Sequence, residues 1–247
     1  MRIKGVISYD GSNFFGFQKQ PGRPTIQGKI EEALNRIGID SPILYGGRTD
    51  RGVHGLNQVV AFDIPLHWER RLEKMRKILN FHLHPAIYFK QLTPAPPDFH
   101  PSYWAIKRGY RYIFTYRFSP FTANYTLYTP TPLPLSLLNR ASQLLIGVHD
   151  FRHFAKTGTP VGSYRREIFQ ARFYPISTGA VFQIEGSGFL RGQVRLIVAF
   201  LLEIARGKLT LSHLKRQLEG IGVYHRLPAP PNGLYLHRIW YPLDKFK

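Results

Sequence analysis

The spacing of apolar residues divides the first hundred residues into five elements. The N-terminal segment RIKGVISYDG alternates polar and apolar positions before an Asp-Gly turn, which is typical of a half-buried strand. Residues Thr25 to Gly38 place apolar side chains on one helical face, and Gly38 suits the end of a helix. The remaining runs predict a strand, a helix and a strand: NQVVAFDI, ERRLEKMRKILNFH and AIYFKQL. The predicted order is therefore β, α, β, α, β.

The same alternation restarts after a proline-rich stretch, PAPPDFHP, which begins at residue 94 and cannot continue a regular element. Beyond it the pattern predicts strands at GYRYIFTYRF, EIFQARFYPI, AVFQIEGSG and NGLYLHRIWYP, with helices at LSLLNRASQLLIG and FLRGQVRLIVAFLLEIARG. Two α+β halves, residues 1–100 and 101–247, are therefore expected side by side. A cleft between such halves is the natural place for a site.

The charge of the chain indicates the class of its partner. The sequence has 34 Lys and Arg against 15 Asp and Glu, a formal net charge of +19 at pH 7. Such an imbalance repels itself in a folded chain, so it favours a polyanionic partner, either nucleic acid or an anionic membrane surface. Because the basic residues are spread along the whole chain, we expect a folded binding face and not a basic tail.

The sequence also limits the cellular setting. It contains no cysteine, which excludes disulfides and thiolate sites. The N-terminus lacks the apolar region of a signal peptide, and no apolar run reaches the length of a membrane span. We therefore expect a soluble, cytoplasmic protein.

One glycine-rich stretch, GGRTDRGVHG at residues 46–55, holds a single carboxylate, Asp50, between Arg48 and Arg51. A turn would explain it structurally, because glycine and aspartate are common in loops and Asp bonds nearby backbone amides. Alternatively, the adjacent guanidinium groups would hold the carboxylate ionised, with a pKa below its ordinary value, as a nucleophile or base requires. The loop alone is compatible with both interpretations.

Two further features are candidates for a site. The strand GYRYIFTYRF has a ring at every second position, so the rings share one face and most of them should form core. A ring at an exposed strand end can stack on a nucleic-acid base, and Tyr110, the first in the row, is the best candidate. Later in the chain, Arg191 and Arg195 are predicted one helical turn apart, as a surface stripe or as part of a site.

Other chemistries have little support. The segment GSGFLRG departs from the dinucleotide fingerprint because Arg191 occupies the position of the third small residue, so no nucleotide cofactor is expected. The pair HLH at residues 82–84 has no cysteine or paired acid beside it, so no metal is expected.

A series of short blocks in the correct order decides between these interpretations. The loop GGRTDRGVHG resembles the GRTD-x-GVH loop of the TruA family of tRNA pseudouridine synthases. The other similar blocks are, in chain order, YDGSNFFGFQKQ, TIQG, DFHPSYWAIKRGYRYIF, HDFRHF, GFLRGQVR and GLYL. The resemblance extends over nearly the whole chain.

The resemblance implies isomerisation of uridine to pseudouridine in the tRNA anticodon stem-loop, at tRNA positions 38, 39 and 40, without cofactor or metal. Asp50 would be the catalyst, acting by covalent attack on the sugar or base or by removing a C2′ proton to give a glycal. Arg48 would displace the flipped uridine. Tyr110 would stack on the flipped base and remove its C5 proton, and Arg195 would pair with Asp50.

The resemblance also implies a fold: two ferredoxin-like α+β halves side by side that share a central, mostly antiparallel sheet with a catalytic cleft. Residues 1–100 would carry the Asp loop, and residues 101–247 the Tyr strand and the Arg helix. Family members work as homodimers with tRNA across both subunits, so a homodimer is expected.

Several positions depart from the family pattern. Arg51 stands where the family usually has alanine and adds a cation beside the catalyst. Ser102 replaces a common arginine, and Gln193 replaces a usual methionine. The resemblance gives Arg51 no role.

Two functions of other classes are the alternatives. A non-catalytic RNA-binding protein with a ferredoxin-like sheet would explain the charge and the aromatic strand. Simple RNA binding does not, however, need the ordered set of Asp50, Tyr110 and Arg195. A membrane-surface protein is disfavoured because no strongly basic amphipathic helix with a large apolar face is present. The sequence therefore favours an enzyme whose partner is tRNA.

Overall fold

The chain forms two compact units, which the computed structural model describes over residues 1–158 and 162–242. Unit 1 comprises Met1–Ile106 and the C-terminal residues from Tyr235 onward, and unit 2 comprises Lys107–Leu234. The last strand of the chain therefore belongs with the N-terminal unit.

Unit 1 is a sheet with helices packed on it. Its elements are β1 (Arg2–Tyr9), α1 (Ile26–Asn35), β2 (Leu44–Tyr45), β3 (His54–Asp63), α2 (Leu72–Leu83), β4 (Ile87–Pro94) and β10 (Leu234–Trp240). Strand β1 lies between β4 and β3 and is antiparallel to both, whereas β10 is parallel to β3. A 3-10 turn over Leu66–Arg71 precedes α2.

The alternation in β1 is realised as predicted, with every second residue buried. Its buried residues Ile3 and Ile7 belong to one apolar core with the inner faces of α1 and α2. Helix α1 starts where the sequence predicts, because the Thr25 hydroxyl accepts the Gly28 N–H at 3.2 Å as an N-cap. The hydrophobic pattern thus fixes which faces are buried.

Unit 2 also combines strands with helices. Its elements are β5 (Lys107–Thr115), β6 (Leu127–Tyr128), α3 (Leu135–Gln143), β7 (Gly147–Asp150), β8 (Arg165–Ile176), β9 (Gly179–Gly186), α4 (Gln193–Ala205) and α5 (Leu211–Leu218). Strands β5, β9, β8 and β7 are neighbours in that order and pair antiparallel. The short β6 pairs parallel to β5.

The aromatic strand is shorter than predicted. It ends at Thr115, so Tyr116 and Phe118 lie beyond it, and Phe118 is exposed. Tyr112 and Phe114 are fully buried, as core rings should be. The helix α5 was not predicted. It begins at a capping box in which Thr210 and His213 bond each other's backbone N–H groups.

The expected α+β class with mostly antiparallel strand pairing is confirmed. Among the described residues, no helix is long and apolar enough to cross a membrane.

Leu79→Ala is expected to destabilise the protein by about 2–5 kcal/mol, because Leu79 is fully buried in the unit 1 core and its truncation leaves a cavity. Leu66→Ala is the matched control. Its side chain is 75% exposed, so the change should stay within about 0.5 kcal/mol. Urea denaturation followed by circular dichroism measures both, and equal losses would contradict the assigned core.

Candidate functional site

The loop at residues 46–53 connects β2 to β3, and its first residues are held by a buried side chain of β3. Gln58, which is fully buried, accepts the Gly47 N–H through Oε1 at 3.1 Å and donates from Nε2 to the Gly47 carbonyl at 2.5 Å. The Gly46 N–H donates to the Val59 carbonyl at 2.8 Å. The side-chain amide of Gln58 therefore satisfies both backbone hydrogen-bonding groups of Gly47, as a neighbouring strand would do. Sequence reasoning missed this residue, although a glutamine within the apolar run NQVVAFDI was a signal.

The middle of the loop is held by the segment that follows β1. The Phe17 N–H donates to the Thr49 carbonyl at 3.1 Å, and the hydroxyls of Tyr9 and Thr49 lie 2.8 Å apart. The Gly52 N–H donates to the Phe14 carbonyl at 3.3 Å. Two blocks that the sequence singled out separately, YDGSNFFGFQKQ and GGRTDRGVHG, thus form one structure in unit 1.

Glycine is required where these two segments meet. Gly16 has φ +96°, and a Cβ there would lie 2.8 Å from the Thr49 carbonyl oxygen. A Cβ on Gly11 would lie 2.0 Å from the Val53 carbonyl oxygen. Both distances are shorter than real contacts, so any larger residue would push the loop away.

Asp50 follows the fixed residue Thr49 at the start of a tight turn. Its carbonyl accepts the Val53 N–H at 3.1 Å, and Gly52 takes φ +75° within the turn. The Asp50 side chain is half-buried. The turn interpretation and the functional one are thus compatible, because the backbone forms the turn while the carboxylate is presented beside it.

The two loop arginines have different surroundings. Arg48 is exposed. Burial raises the pKa of the Tyr45 phenol, and the positive charge of Arg48 partly offsets that rise. Arg51 is also exposed, and its guanidinium carbon lies 4.3 Å from the centroid of the Phe15 ring. The structure therefore gives Arg51 a partner that the sequence did not indicate.

The C-terminal end of the loop is anchored at a buried histidine. The Gly11 N–H donates to His54 Nδ1 at 3.1 Å, and an Asp10 carboxylate oxygen lies 3.2 Å from the same nitrogen. The imidazole stacks on Tyr235 of β10 with ring centroids 4.7 Å apart. The start of β3, the segment that follows β1 and the C-terminal strand β10 thus contribute to the support of the loop.

Tyr110 lies on β5 of unit 2, opposite Ile184 of β9. The edge of its ring meets Phe189, with centroids 5.2 Å apart and planes at 83°. Tyr110 is only 7% exposed, so it is not the solvent-facing ring that the strand pattern suggested.

Arg195 lies in the first turn of α4 and is held by a distant segment of unit 2. Its Nε donates to the Ala229 carbonyl at 2.7 Å, and the Ala229 N–H donates to the Arg195 carbonyl at 3.0 Å. The first bond orients the guanidinium, and the second ties residue 229 to the first turn of α4. Arg191 precedes the start of α4 at Gln193, so the prediction that Arg191 and Arg195 lie one turn apart within a helix is wrong.

Arg195 also lies near the buried phenol of Tyr112. Burial raises the pKa of Tyr112 well above its ordinary range, and the positive charge of Arg195 partly opposes the rise. The Tyr112 hydroxyl donates to the Pro230 carbonyl at 2.7 Å. Residues 229 and 230 thereby join α4 to β5 within unit 2.

Gln193, which replaces the methionine usual in the family pattern, lies at the start of α4 and hydrogen-bonds Leu190 just before the helix. Its Oε1 accepts the Leu190 N–H at 2.7 Å, while its own N–H donates to the Leu190 carbonyl at 3.1 Å. Gln193 is fully buried. A polar side chain at this position therefore satisfies a backbone group that would otherwise be buried unpaired.

Each unit thus carries candidate residues of its own. Unit 1 presents a carboxylate on a fixed backbone with arginines before and after it, and unit 2 presents a tyrosine and an oriented arginine on neighbouring elements. Among the residues described, no group of three or more His, Asp or Glu side chains could hold a metal ion. The carboxylate can act as base or nucleophile toward an anionic ligand that the arginines attract.

Known proteins resemble this chain over nearly its full length. A family described as tRNA pseudouridine synthase matches residues 6–104 and 141–242. The tRNA pseudouridine synthase A of Campylobacter jejuni subsp. doylei is 39% identical over 242 residues, which cover 98% of this chain and 100% of that protein. The tRNA pseudouridine synthase A of Helicobacter pylori strain P12 is 40% identical over 244 residues, which cover 97% and 99%.

Among solved structures, one similar chain comes from a structure described as a Cbf5-Nop10-Gar1 complex. It is 12% identical with a TM-score of 0.41, and the match covers 95% of this chain and 48% of that one. A likeness of this size carries no argument about function.

Gly16→Ala should lower the free energy of unfolding more than Gly38→Ala. Both glycines have positive φ, +96° and +74°, and a side chain in the left-handed region costs about 1–2 kcal/mol. At Gly16 the new methyl also meets the Thr49 carbonyl, whereas at Gly38 nothing lies within 4 Å. Urea denaturation of the two variants gives the difference. Equal losses would mean that the close approach is not needed.

Proposed function

Because the chain belongs to the tRNA pseudouridine synthase family, it is an isomerase that modifies tRNA, and we propose that it acts in the anticodon stem-loop. The proposed targets are the uridines at tRNA positions 38, 39 and 40, as the resemblance of the sequence blocks implies. The observation that carries the catalytic part is Asp50, which follows a backbone held by both Gln58 and the Tyr9–Phe17 segment. A catalytic group needs such a fixed position.

The proposed reaction exchanges one glycosidic bond for another. The bond between N1 and C1′ breaks, the uracil turns, and C5 bonds to C1′; the proton on C5 is lost while N1 gains one. Asp50 acts either by covalent attack on the sugar or base or by removing the C2′ proton to give a glycal. Both routes use the same carboxylate at the same position.

We assign the other roles by matching residues. Arg48, exposed and two residues before the acid, enters the space that the flipped uridine leaves. Tyr110 stacks on the flipped uracil and removes its C5 proton. Arg195 pairs with the carboxylate of Asp50. This pairing is carried over from the resemblance, and within unit 2 the hydrogen bond from Arg195 Nε to Ala229 orients the guanidinium before substrate arrives.

The partners follow from charge and from the resemblance. A net charge of +19 suits an RNA ligand, because neutralising phosphates releases counterions. We propose that the protein works as a homodimer in the cytoplasm, where tRNA is its substrate, and that it needs neither metal nor nucleotide cofactor.

Asp50→Ala is expected to bind tRNA at least as well as the wild type, because it loses a negative charge near a polyanion, while its turnover falls below detection. Release of tritium from tRNA labelled at uridine C5 measures turnover, and filter binding measures affinity. Asp40→Ala, which removes an exposed aspartate of the same unit, is the control and should turn over normally. Wild-type tritium release by Asp50→Ala would contradict the assignment of Asp50 as the catalyst.

Deleting the gene should remove pseudouridine from tRNA positions 38, 39 and 40 and leave pseudouridine elsewhere in tRNA unchanged. Chemical mapping of pseudouridine in tRNA from deleted and complemented cells tests this. Complementation with Asp50→Ala should fail to restore the modification. Loss at other positions only would contradict the proposed target while leaving the family assignment intact.

A further inference from the structure

Two arginine side chains, those of Arg23 and Arg51, lie against the ring of Phe15. The guanidinium carbon of Arg51 lies 4.3 Å from the centroid of the Phe15 ring, and that of Arg23 lies 4.5 Å from it. Both distances are well within the range of cation–π attraction. Arg23, Phe15 and Arg51, here called the Phe15 stack, lie in unit 1 and include the residue that directly follows Asp50.

The backbone under the Phe15 stack is ordered. The Phe15 N–H donates to the Pro24 carbonyl at 2.9 Å, and Gln20 Nε2 donates to the Phe15 carbonyl at 2.7 Å. Gly22 takes φ +65° in the turn between them. In the loop that contains Arg51, the Gly52 N–H donates to the Phe14 carbonyl. Both arginines are thus placed on fixed chain segments, and a ligand need not bear the full cost of ordering them.

The two cations of the stack take no part in the ion pairs formed among the described residues. Within the described part of the chain, neither Arg23 nor Arg51 contacts a carboxylate, whereas Arg36 bonds Glu32 at 2.9 Å. Both arginines are exposed. Two like charges held against one ring repel each other, and an anion bound by both would relieve that repulsion.

We propose that the Phe15 stack binds a backbone phosphate of the substrate RNA, close to the nucleotide that enters the site. The proposal rests on the proposed function, since it assigns this phosphate to the RNA on which Asp50 acts. A guanidinium presents paired N–H donors that match phosphate oxygens. Because Arg51 is adjacent to Asp50, a phosphate held there would belong to the target nucleotide or one of its neighbours. The stack positions RNA and takes no part in bond breaking.

The test is the salt dependence of tRNA binding. Arg51→Ala and Arg23→Ala should each reduce the slope of log affinity against log salt by about one unit or slightly less. At about 0.1 M salt each change should weaken binding about five- to eightfold. The control is Arg36→Ala, which also removes one exposed arginine of unit 1 but one already paired with Glu32, and it should change neither quantity.

The variant Phe15→Leu tests the contribution of the aromatic ring apart from that of the two arginine charges. It keeps both arginines and removes their support, so affinity should fall about two- to tenfold while the salt slope stays near that of the wild type. With saturating tRNA, Arg51→Ala should keep kcat near the wild-type value and raise KM, because a phosphate contact contributes equally to ground and transition states.

Melting temperature and tritium release, measured on the same preparations, distinguish the outcomes. If the Arg23→Ala, Arg51→Ala double variant melts earlier but binds tRNA with unchanged affinity and slope, the stack only supports the fold and the proposal is wrong. If the wild type releases no tritium while the double variant loses affinity as expected, the proposed function fails but the stack is still an RNA site. Wild-type turnover with the expected loss of affinity supports both.

Discussion

The structure of the candidate site depends on how the backbone on either side of Asp50 is held. Gln58 fixes Gly47 from the sheet side, and the segment between Tyr9 and Phe17 fixes Thr49 and Gly52 from the other. A glycine-rich loop without such bonds would sample many conformations, and each ordered residue costs about 1–2 kcal/mol of backbone entropy. The hydrogen bonds supply that ordering during folding, so the carboxylate is in place before a substrate arrives.

The excess of basic over acidic residues leaves cationic side chains available to bind an anion. The chain has 34 basic and 15 acidic residues, so it has too few carboxylates to give each arginine and lysine a separate ion-pair partner. Pairs such as Arg36 with Glu32 are exposed and add little stability. Arg51 and Arg23 instead lie against Phe15, which keeps them ordered without neutralising them. Their charge can then attract a phosphate backbone.

Much of the secondary structure could be predicted because a buried face requires apolar residues at a regular spacing along the sequence. The alternation in β1 and the apolar face of α1 are local consequences of one buried side. The limits of elements were less predictable: β5 ends at Thr115 although its aromatic alternation continues to Phe118. Helix α5 is short, and its signals in the sequence are the Thr210 capping box and the helical spacing of Leu211, Leu214 and Leu218. The parallel pairing of β10 with β3 joins residues far apart in sequence, which no local pattern records.

The sequence by itself determined the family and the α+β class, because ordered motifs and residue types are written directly in the chain, and it singled out Asp50 as the candidate catalyst. It also predicted Tyr110 and Arg195 as candidates, but it placed Tyr110 at an exposed strand end, and tertiary packing buries it. Only the tertiary structure decided that Gln58 holds the loop, that Ala229 orients Arg195 and that Arg51 lies on Phe15. The physical reason is that these contacts are made by single side chains across distant segments. They produce no periodicity, and they arise only when the folded backbone brings the segments together.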